Sequence, residues 1–209
     1  MEGKDNRASR IQLSFSLAVV ATMLIMFTVP SDEFVDAAFF STTVMILAAW
    51  RLGAFRGFHP TAKSIGLGIV SALVLYGIFY AGNAGVQALH PFGITSSNEG
   101  SIYSLIASPS NPGYLQVGLL AFDAVGYESF FRGFIQKRAS ARSPFGAPFA
   151  VAALDALIHV PTLNPLWVVT TFIADSVWGL NLLYGKDLGS NVLSHFLWDV
   201  LIFLVIPIK

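Results

Sequence analysis

The chain contains no cysteine. Disulfides, thiolate nucleophiles and cysteine-ligated metal centres are thereby excluded, and the redox state of the compartment leaves no mark on the sequence. Charge is scarce as well. Only 11% of the 209 residues are Asp, Glu, Lys or Arg, against about 25% in an ordinary soluble domain. So few ionic groups cannot wet a surface on all sides, so a globule surrounded by water is excluded. Long polar linkers and internal repeats are also missing, and nothing in the composition points to nucleic acid.

What is present is apolar. Hydrophobic residues make up 55% of the chain and the mean hydropathy is +0.66. The intervals 11–29 and 64–89 carry no charge, and 113–136, 164–184 and 188–208 are apolar apart from isolated ionisable groups. A bilayer crossing needs roughly 20 such residues, and two weaker intervals, 33–50 and 147–161, bring the expectation to about seven transmembrane helices. Lys4, Arg7 and Arg10 precede the first run, which is long and lacks a small-residue cleavage site before Ser31, so it reads as an anchor.

If the spans alternate in direction, ten of the 12 basic residues fall on one side: Lys4, Arg7, Arg10, Arg51, Arg56, Lys63, Lys137, Arg138, Arg142 and Lys186. The positive-inside rule makes that side, and the N-terminus, cytoplasmic. Asp32, Glu33, Asp36 and Glu99 fall on the other side, and Lys209 is the exception. Basic groups at 51–63 and 137–142 suit anionic lipid headgroups, and His59 and His90 read as loop surface residues. The expected fold is all-α and polytopic. Residues 1–112 supply helices one to three and an outside loop, and 113–209 supply a four-helix core of catalytic type, the two forming one integrated membrane domain. Gly66, Gly68 and Ser71 read as sites of tight helix packing.

Ionisable residues inside spans are confined to the second half: Asp123, Glu128, Arg132, Asp155, His159, Asp175, His195 and Asp199. Each charge at mid-membrane costs on the order of 3 kcal/mol, so these groups must face one another or water. At 1.5 Å per residue, Glu128 lies about 15 Å from Arg138, His159 about 16 Å from Pro148, His195 about 12 Å from Asp187 and Asp175 about 15 Å from Gly185. Four helices thus bring ionisable groups to one level. Glu128 with Arg132, Asp155 with His159, and His195 with Asp199 are spaced i, i+4, which puts each pair on one helix face. The expected result is a hydrophilic chamber opening to the cytoplasm, in which Arg132 keeps Glu128 charged and oriented.

The residues Tyr127-Glu128-Ser129-Phe130-Phe131-Arg132-Gly133, Asp155 with His159, and His195-Phe-Leu-Trp-Asp199 resemble the three motifs of the CAAX prenyl protease type II and bacteriocin-processing family (CPBP, also called Abi) of intramembrane proteases: Glu-Glu-x-x-x-Arg, Phe-x-x-x-His and His-x-x-x-Asn/Asp. The resemblance covers residues 113–207. It implies an endopeptidase, of glutamate or metallo type, that hydrolyses a peptide bond near the cytoplasmic face with water activated by a carboxylate and a histidine. It further implies membrane-associated or prenylated peptides as substrates and membrane lipid as surroundings.

Two positions depart from the family pattern. Tyr127 stands where the family has the Glu implied to activate water, and Asp155 stands where it has Phe. Tyr127 reads as an interfacial aromatic. The catalytic candidates are Glu128, His159, His195 and Asp199, supported by Arg132, Asp155 and Tyr127. Glu128 or Asp155 would act as general base with His159, while His195 and Asp199 would hold the carbonyl oxygen as charge develops. Asp123 is a further carboxylate within reach of that role.

Other chemistries remain open at this point. His159, His195 and Glu128 are the residues that would hold a zinc ion if the site carries one, although no His-Glu-x-x-His is present. Ser129 or Ser194 could be offered as nucleophile, but Ser194 adjoins His195 and faces another way. An aspartyl mechanism lacks its Gly-x-Gly-Asp. A catalytically degenerate binder of peptides or proteins, or a proton-coupled transporter, is the rival from another class.

Overall fold

The computed structural model describes residues 2–55, 58, 61–89, 94–106 and 113–208. Arg56, His59, His90 and Lys209 lie outside the described residues, as do the side chains of Lys4 and Arg7. The described chain is predominantly helical, with no strand among the described residues. Its elements are α1 (Glu2–Met26), α2 (Phe34–Arg51), α3 (Ala62–Leu89), α4 (Ser96–Ile106) and α5 (Gly113–Tyr127), which runs on as a π-helical segment (Glu128–Gln136) and the short α6 (Lys137–Ser140). Then come α7 (Ala147–Ile158), a 3₁₀ turn (Val160–Thr162), α8 (Pro165–Gly185) and α9 (Leu188–Val200), continued by a second π-helical stretch (Leu201–Val205).

Helices occupy all seven expected intervals, but five of them are long and apolar enough to cross a membrane: Ser9–Met26, Phe34–Arg51, Ala62–Leu89, Pro165–Gly185 and Leu188–Val205. The count of seven is not established. The 12 residues of α7 reach only about 18 Å, and α5 gives way after 15 residues to the π segment.

Local sequence sets the helix ends near the polar layer. Asn164 caps α8, its Oδ1 accepting from the backbone N–H of Leu166 at 3.0 Å and of Trp167 at 3.4 Å, and Pro165 follows at the first helical position, where no N–H is needed. Lys186 closes α8 in the left-handed region at φ 54°. Asp187 then caps α9 through Gly189 N–H at 3.0 Å. These closures hold α8 and α9 as an antiparallel pair joined by two residues.

Apolar burial cannot drive helices together in lipid, so close approach at small residues has to. A Cβ on Gly179 of α8 would meet Pro148 Cβ at 2.8 Å and Cα at 3.0 Å on α7, and one on Gly126 would meet Thr42 Cγ2 at 2.7 Å on α2. Gly68 lies close to α9, with Leu193 Cβ and Ser190 O at 3.0 Å from its would-be Cβ, whereas Gly66 has nothing within 4 Å. Tight packing is therefore a property of Gly68 and not of Gly66. Two buried clusters flank the polar layer. Val19, Met23, Met45, Phe130, Phe131 and Val151 fill one, and Ala72, Leu75, Trp178, Trp198 and Ile202 fill the other. Leu17, Phe40, Leu73 and Leu157 point outward, each more than half exposed, as a lipid-facing surface requires.

The segment expected as plain α-helix through 136 is π-helical from Glu128 to Gln136. Its backbone bonds i→i+5 and so turns side chains to more directions than an α-helix would, and such stretches recur at functional sites. All of its residues except Ile135 are buried, because α2, α7, α8 and α9 pack against it.

Candidate active site

The polar side chains of the second half converge. Glu128 is fully buried, and both of its oxygens are engaged. Oε1 accepts from His195 Nδ1–H at 2.9 Å, and Oε2 accepts from Asn191 Nδ2 at 3.1 Å. His195 lies flat on Trp178, with ring centroids 3.9 Å apart and planes at 17°. Its Nε2 is 3.5 Å from Asp199 Oδ2. With carboxylates beside both nitrogens, this imidazole can carry two N–H donors, which suits it to holding a developing negative charge.

Asn191 was not among the expected site residues. It also donates to the Trp178 carbonyl at 2.7 Å and accepts from Asn181 Nδ2 at 3.0 Å. The signal was available in the sequence: Asn191 stands four residues before His195, as Asp199 stands four after it, so all three share one face of α9.

Arg132 is fully buried and lies 3.7 Å from Glu128 Oε2 through Nε, but its NH2 group is 2.5 Å from Asp175 Oδ1 on α8. The guanidinium expected to serve Glu128 thus pairs primarily with Asp175. The i, i+4 contact with Glu128 persists through Nε, while the terminal NH2 group turns toward α8.

Tyr127 is not interfacial. It is buried, and its hydroxyl donates to Asp155 Oδ2 on α7. Asp155 Oδ1 receives no hydrogen bond from the protein, and the Asp175 carboxyl stands within hydrogen-bonding reach of the Asp155 side chain. His159 follows at the end of α7. Its Nδ1–H donates to the Asp155 carbonyl at 2.9 Å, with Asp155 Oδ1 at 3.9 Å, which leaves Nε2 as the acceptor nitrogen of the ring. Phe27 and Trp167 pack against that ring, with centroids at 4.4 Å and 5.6 Å.

A cavity of about 460 Å³ joins these groups. Asp123, Tyr127, Asp155, His159, Asp175, His195 and Asp199 border it, whereas Glu128 and Arg132 lie behind its wall. Asp123 Oδ1 accepts from Thr42 Oγ1 at 2.7 Å. The remaining walls are mainly apolar and aromatic, including Phe34, Phe79, Phe122 and Phe203. This is the usual make-up of a ligand site, an apolar chamber with a few convergent polar groups.

The chamber lies toward one end of the bundle. Its walls come from the C-terminal ends of α1, α3, α7 and α9, from α5 and from the N-terminal parts of α2 and α8. That end is opposite to the N-terminus, Arg51, Lys63, Lys137 and Lys186. A cytoplasmic N-terminus and a chamber opening to the cytoplasm, both expected from the sequence, therefore do not hold together. At the chamber end α4 lies along the wall with Glu99, Ile102 and Tyr103, and burial raises the Glu99 carboxyl above its ordinary pKa. Asn164 Nδ2 ties α4 to α8, donating to Asn98 O and to Ser101 Oγ, each at 2.9 Å.

The residues do not fit the zinc site expected at His159, His195 and Glu128. Among the described residues no group of three His, Asp or Glu side chains is arranged to hold a metal. His195 and Glu128 bond to each other, and His159 is turned by its bond to the Asp155 carbonyl. Ser194 Oγ accepts from Trp178 Nε1 at 3.2 Å and so is aimed away from the role of a nucleophile.

Fold and site together define a helical integral membrane protein with a buried chamber of acids and imidazoles. Residues 109–201 match the family described as type II CAAX prenyl endopeptidase, Rce1-like. This region, which holds every residue from Tyr127 to Asp199, is consistent with the CPBP family of proteases that the motifs resemble. No curated protein and no solved structure matches the chain.

Proposed function

We propose that the chain is an intramembrane endopeptidase that hydrolyses a peptide bond drawn into the chamber from the surrounding membrane. The observation that carries this reading is the placement of His159 and His195, on different helices, at the wall of one cavity that also exposes carboxyl groups. Two functions are needed at a scissile amide: removal of a proton from water on one side and stabilisation of the carbonyl oxygen on the other. His159 and the carboxylates beside it supply the first. His195 supplies the second, oriented by Glu128 and Trp178, with Asp199 next to Nε2. The apolar walls suit a substrate that already partitions into the bilayer, and membrane-associated or prenylated peptides are the class to offer first.

The test uses the purified full chain in liposomes, a panel of prenylated and bilayer-partitioning peptides, and mass spectrometry of the products. Wild type is expected to cleave at least one peptide, and His159→Ala and His195→Ala to lose cleavage by about 10²–10⁴-fold, the usual worth of a positioned acid–base group. Equal cleavage by all three, or none by wild type, overturns the reading. A second reading, a peptide binder without turnover, is favoured by one observation: Tyr127 occupies the position of the family's water-activating Glu and cannot act as a carboxylate base near neutral pH. Crosslinking of peptides to the chamber without any product supports it.

A further inference from the structure

We infer that Asp155, rather than Glu128, is the carboxylate that takes the proton from the attacking water, and that Tyr127 is its positioning residue. The inference rests on the peptidase reading and concerns which acid of the chamber does the work.

Access separates the two candidates first. Asp155 borders the cavity and Glu128 does not. Occupancy separates them again. Glu128 has one oxygen on His195 and the other on Asn191, so a water could reach it only by displacing a partner. Asp155 has Oδ2 on the Tyr127 hydroxyl, while Oδ1, buried, receives no hydrogen bond from an N–H or hydroxyl group of the described residues and has the Asp175 carboxyl beside the side chain. A buried acceptor left without a donor costs free energy, and a cavity water donating to Oδ1 removes that cost while placing the nucleophile. His159 lies on the same face of α7, one turn on, with its ring orientation fixed by the Asp155 carbonyl itself. The base and its histidine are thus held by one helical turn. Asp175 stands beside them but is tied to Arg132 at 2.5 Å, and Asp123 is held by Thr42.

The two departures from the family pattern also meet in space. Tyr stands in place of Glu at 127, Asp stands in place of Phe at 155, and these two side chains hydrogen-bond to each other. A carboxylate and an aromatic ring have in effect changed places across the contact between α7 and the end of α5. Loss of the Glu alone would describe a site that had given up water activation. A matched exchange describes one whose carboxylate has moved to the opposite wall.

In the step this implies, an O–H bond of water breaks as its proton passes to Asp155 Oδ1, and the water oxygen bonds to the carbonyl carbon. The carbonyl π pair moves onto its oxygen, which accepts from His195 Nε2–H. The C–N bond then breaks as the departing nitrogen takes up the proton held by Asp155, giving an acid and an amine. Tyr127 keeps Oδ2 occupied and so fixes the rotation of the carboxyl group.

The experiment compares Asp155→Asn, Tyr127→Phe and the double variant Tyr127→Glu with Asp155→Phe, each as the full chain in liposomes with a peptide that wild type cleaves. Asp155→Asn is expected to lose about 10²–10⁴-fold in kcat while still crosslinking the peptide. Tyr127→Phe is expected to lose about tenfold in kcat with KM within twofold, a split that a general loss of packing would not give. The double variant, which returns the carboxylate to position 127, is expected to recover to within about tenfold of wild type. Cleavage by Asp155→Asn within threefold of wild type, with His159→Ala inactive, overturns the assignment and leaves the peptidase reading standing. If Asp155→Asn does not fold, a folded double variant without turnover overturns it equally. A wild type that cleaves no peptide removes both.

Discussion

Arg132 and Asp175 form an ion pair at 2.5 Å with neither side chain appreciably exposed, while Glu128, the acid four residues before Arg132, lies farther off at 3.7 Å. The guanidinium therefore bridges the π segment to α8. Removing one member of a buried pair leaves an uncompensated charge, which costs about 3–5 kcal/mol. Arg132→Ala is expected to lower thermal stability in detergent by that amount. Arg132→Lys is expected to recover only part of it, because an ammonium group cannot replace the planar fork. In a double-mutant cycle, Arg132→Ala with Asp175→Ala is expected to be less destabilised than the sum of the two single changes. Additivity would mean that the pair carries no coupling.

Glu128 does not border the chamber and meets it through His195, which does. Its substitution should therefore act on the orientation of the imidazole. Glu128→Gln is expected to lower kcat by about 10–100-fold, since the amide can accept at Oε1 but cannot satisfy both partners as a carboxylate does. Combined with His195→Ala it should add little, because groups acting as a unit are strongly non-additive. Single-turnover cleavage of a wild-type substrate measures this, and multiplicative losses would separate the two residues.

The glycines divide by their surroundings. A methyl group on Gly179 would collide with the Pro148 backbone at 3.0 Å, whereas one on Gly66 or Gly77 meets nothing within 4 Å. Gly179→Ala is expected to cost about 1–3 kcal/mol by overpacking, and Gly66→Ala to be neutral or to stabilise by up to about 1 kcal/mol through helix propensity. Melting curves of the two variants in one detergent decide this, and equal shifts would contradict the packing of α8 against α7.

Asn164 does two separable jobs. Its Oδ1 caps α8, and its Nδ2 holds α4 through Asn98 and Ser101. Asn164→Asp keeps the cap and loses the tie, while Asn164→Ala loses both. Alanine is expected to cost about 0.5–2 kcal/mol for the cap alone, with aspartate costing less. Hydrogen exchange over residues 96–106 is expected to speed up in both variants. Faster exchange in the alanine variant only would assign the tie to other contacts.

Most of the helices, the confinement of ionisable groups to the second half and the i, i+4 pairs were legible because they depend only on hydropathy and on the repeat of a single helix. His195 with Asp199 holds as read, at 3.5 Å. Asp155 with His159 holds differently, through the backbone carbonyl, since a residue ending a helix finds its free carbonyl one turn back. What could not be read were the contacts across helices: Tyr127 with Asp155, Arg132 with Asp175, Asn191 with Glu128 and Thr42 with Asp123. These are set by the rotation and register of packed helices, which one sequence does not encode locally. The π segment belongs here too, buried as it is against α2, α7, α8 and α9. The chamber's end of the bundle was misjudged because depth was counted from the basic ends alone. Groups near mid-membrane are equally far from both faces.

The side to which the chamber faces is open to direct measurement, and the absence of cysteine makes the experiment clean. Lys137, Arg138 and Arg142 cluster at one end of the bundle, with Ser143 exposed beside them, whereas Ser97 is exposed on α4 at the chamber end. Ten basic residues against one is a strong bias, and such bias sets orientation through the retention of Lys and Arg in cytoplasmic loops. Single Ser143→Cys and Ser97→Cys variants in sealed, right-side-out vesicles are therefore expected to differ toward an impermeant maleimide. Ser97→Cys should label at once, and Ser143→Cys only after the vesicles are opened. That outcome puts the chamber on the non-cytoplasmic side and directs the search for substrates to membrane peptides exposed there. The opposite labelling would mean that the basic end is exported against the charge rule, and would return cytoplasmic C-terminal tails to first place among the substrates.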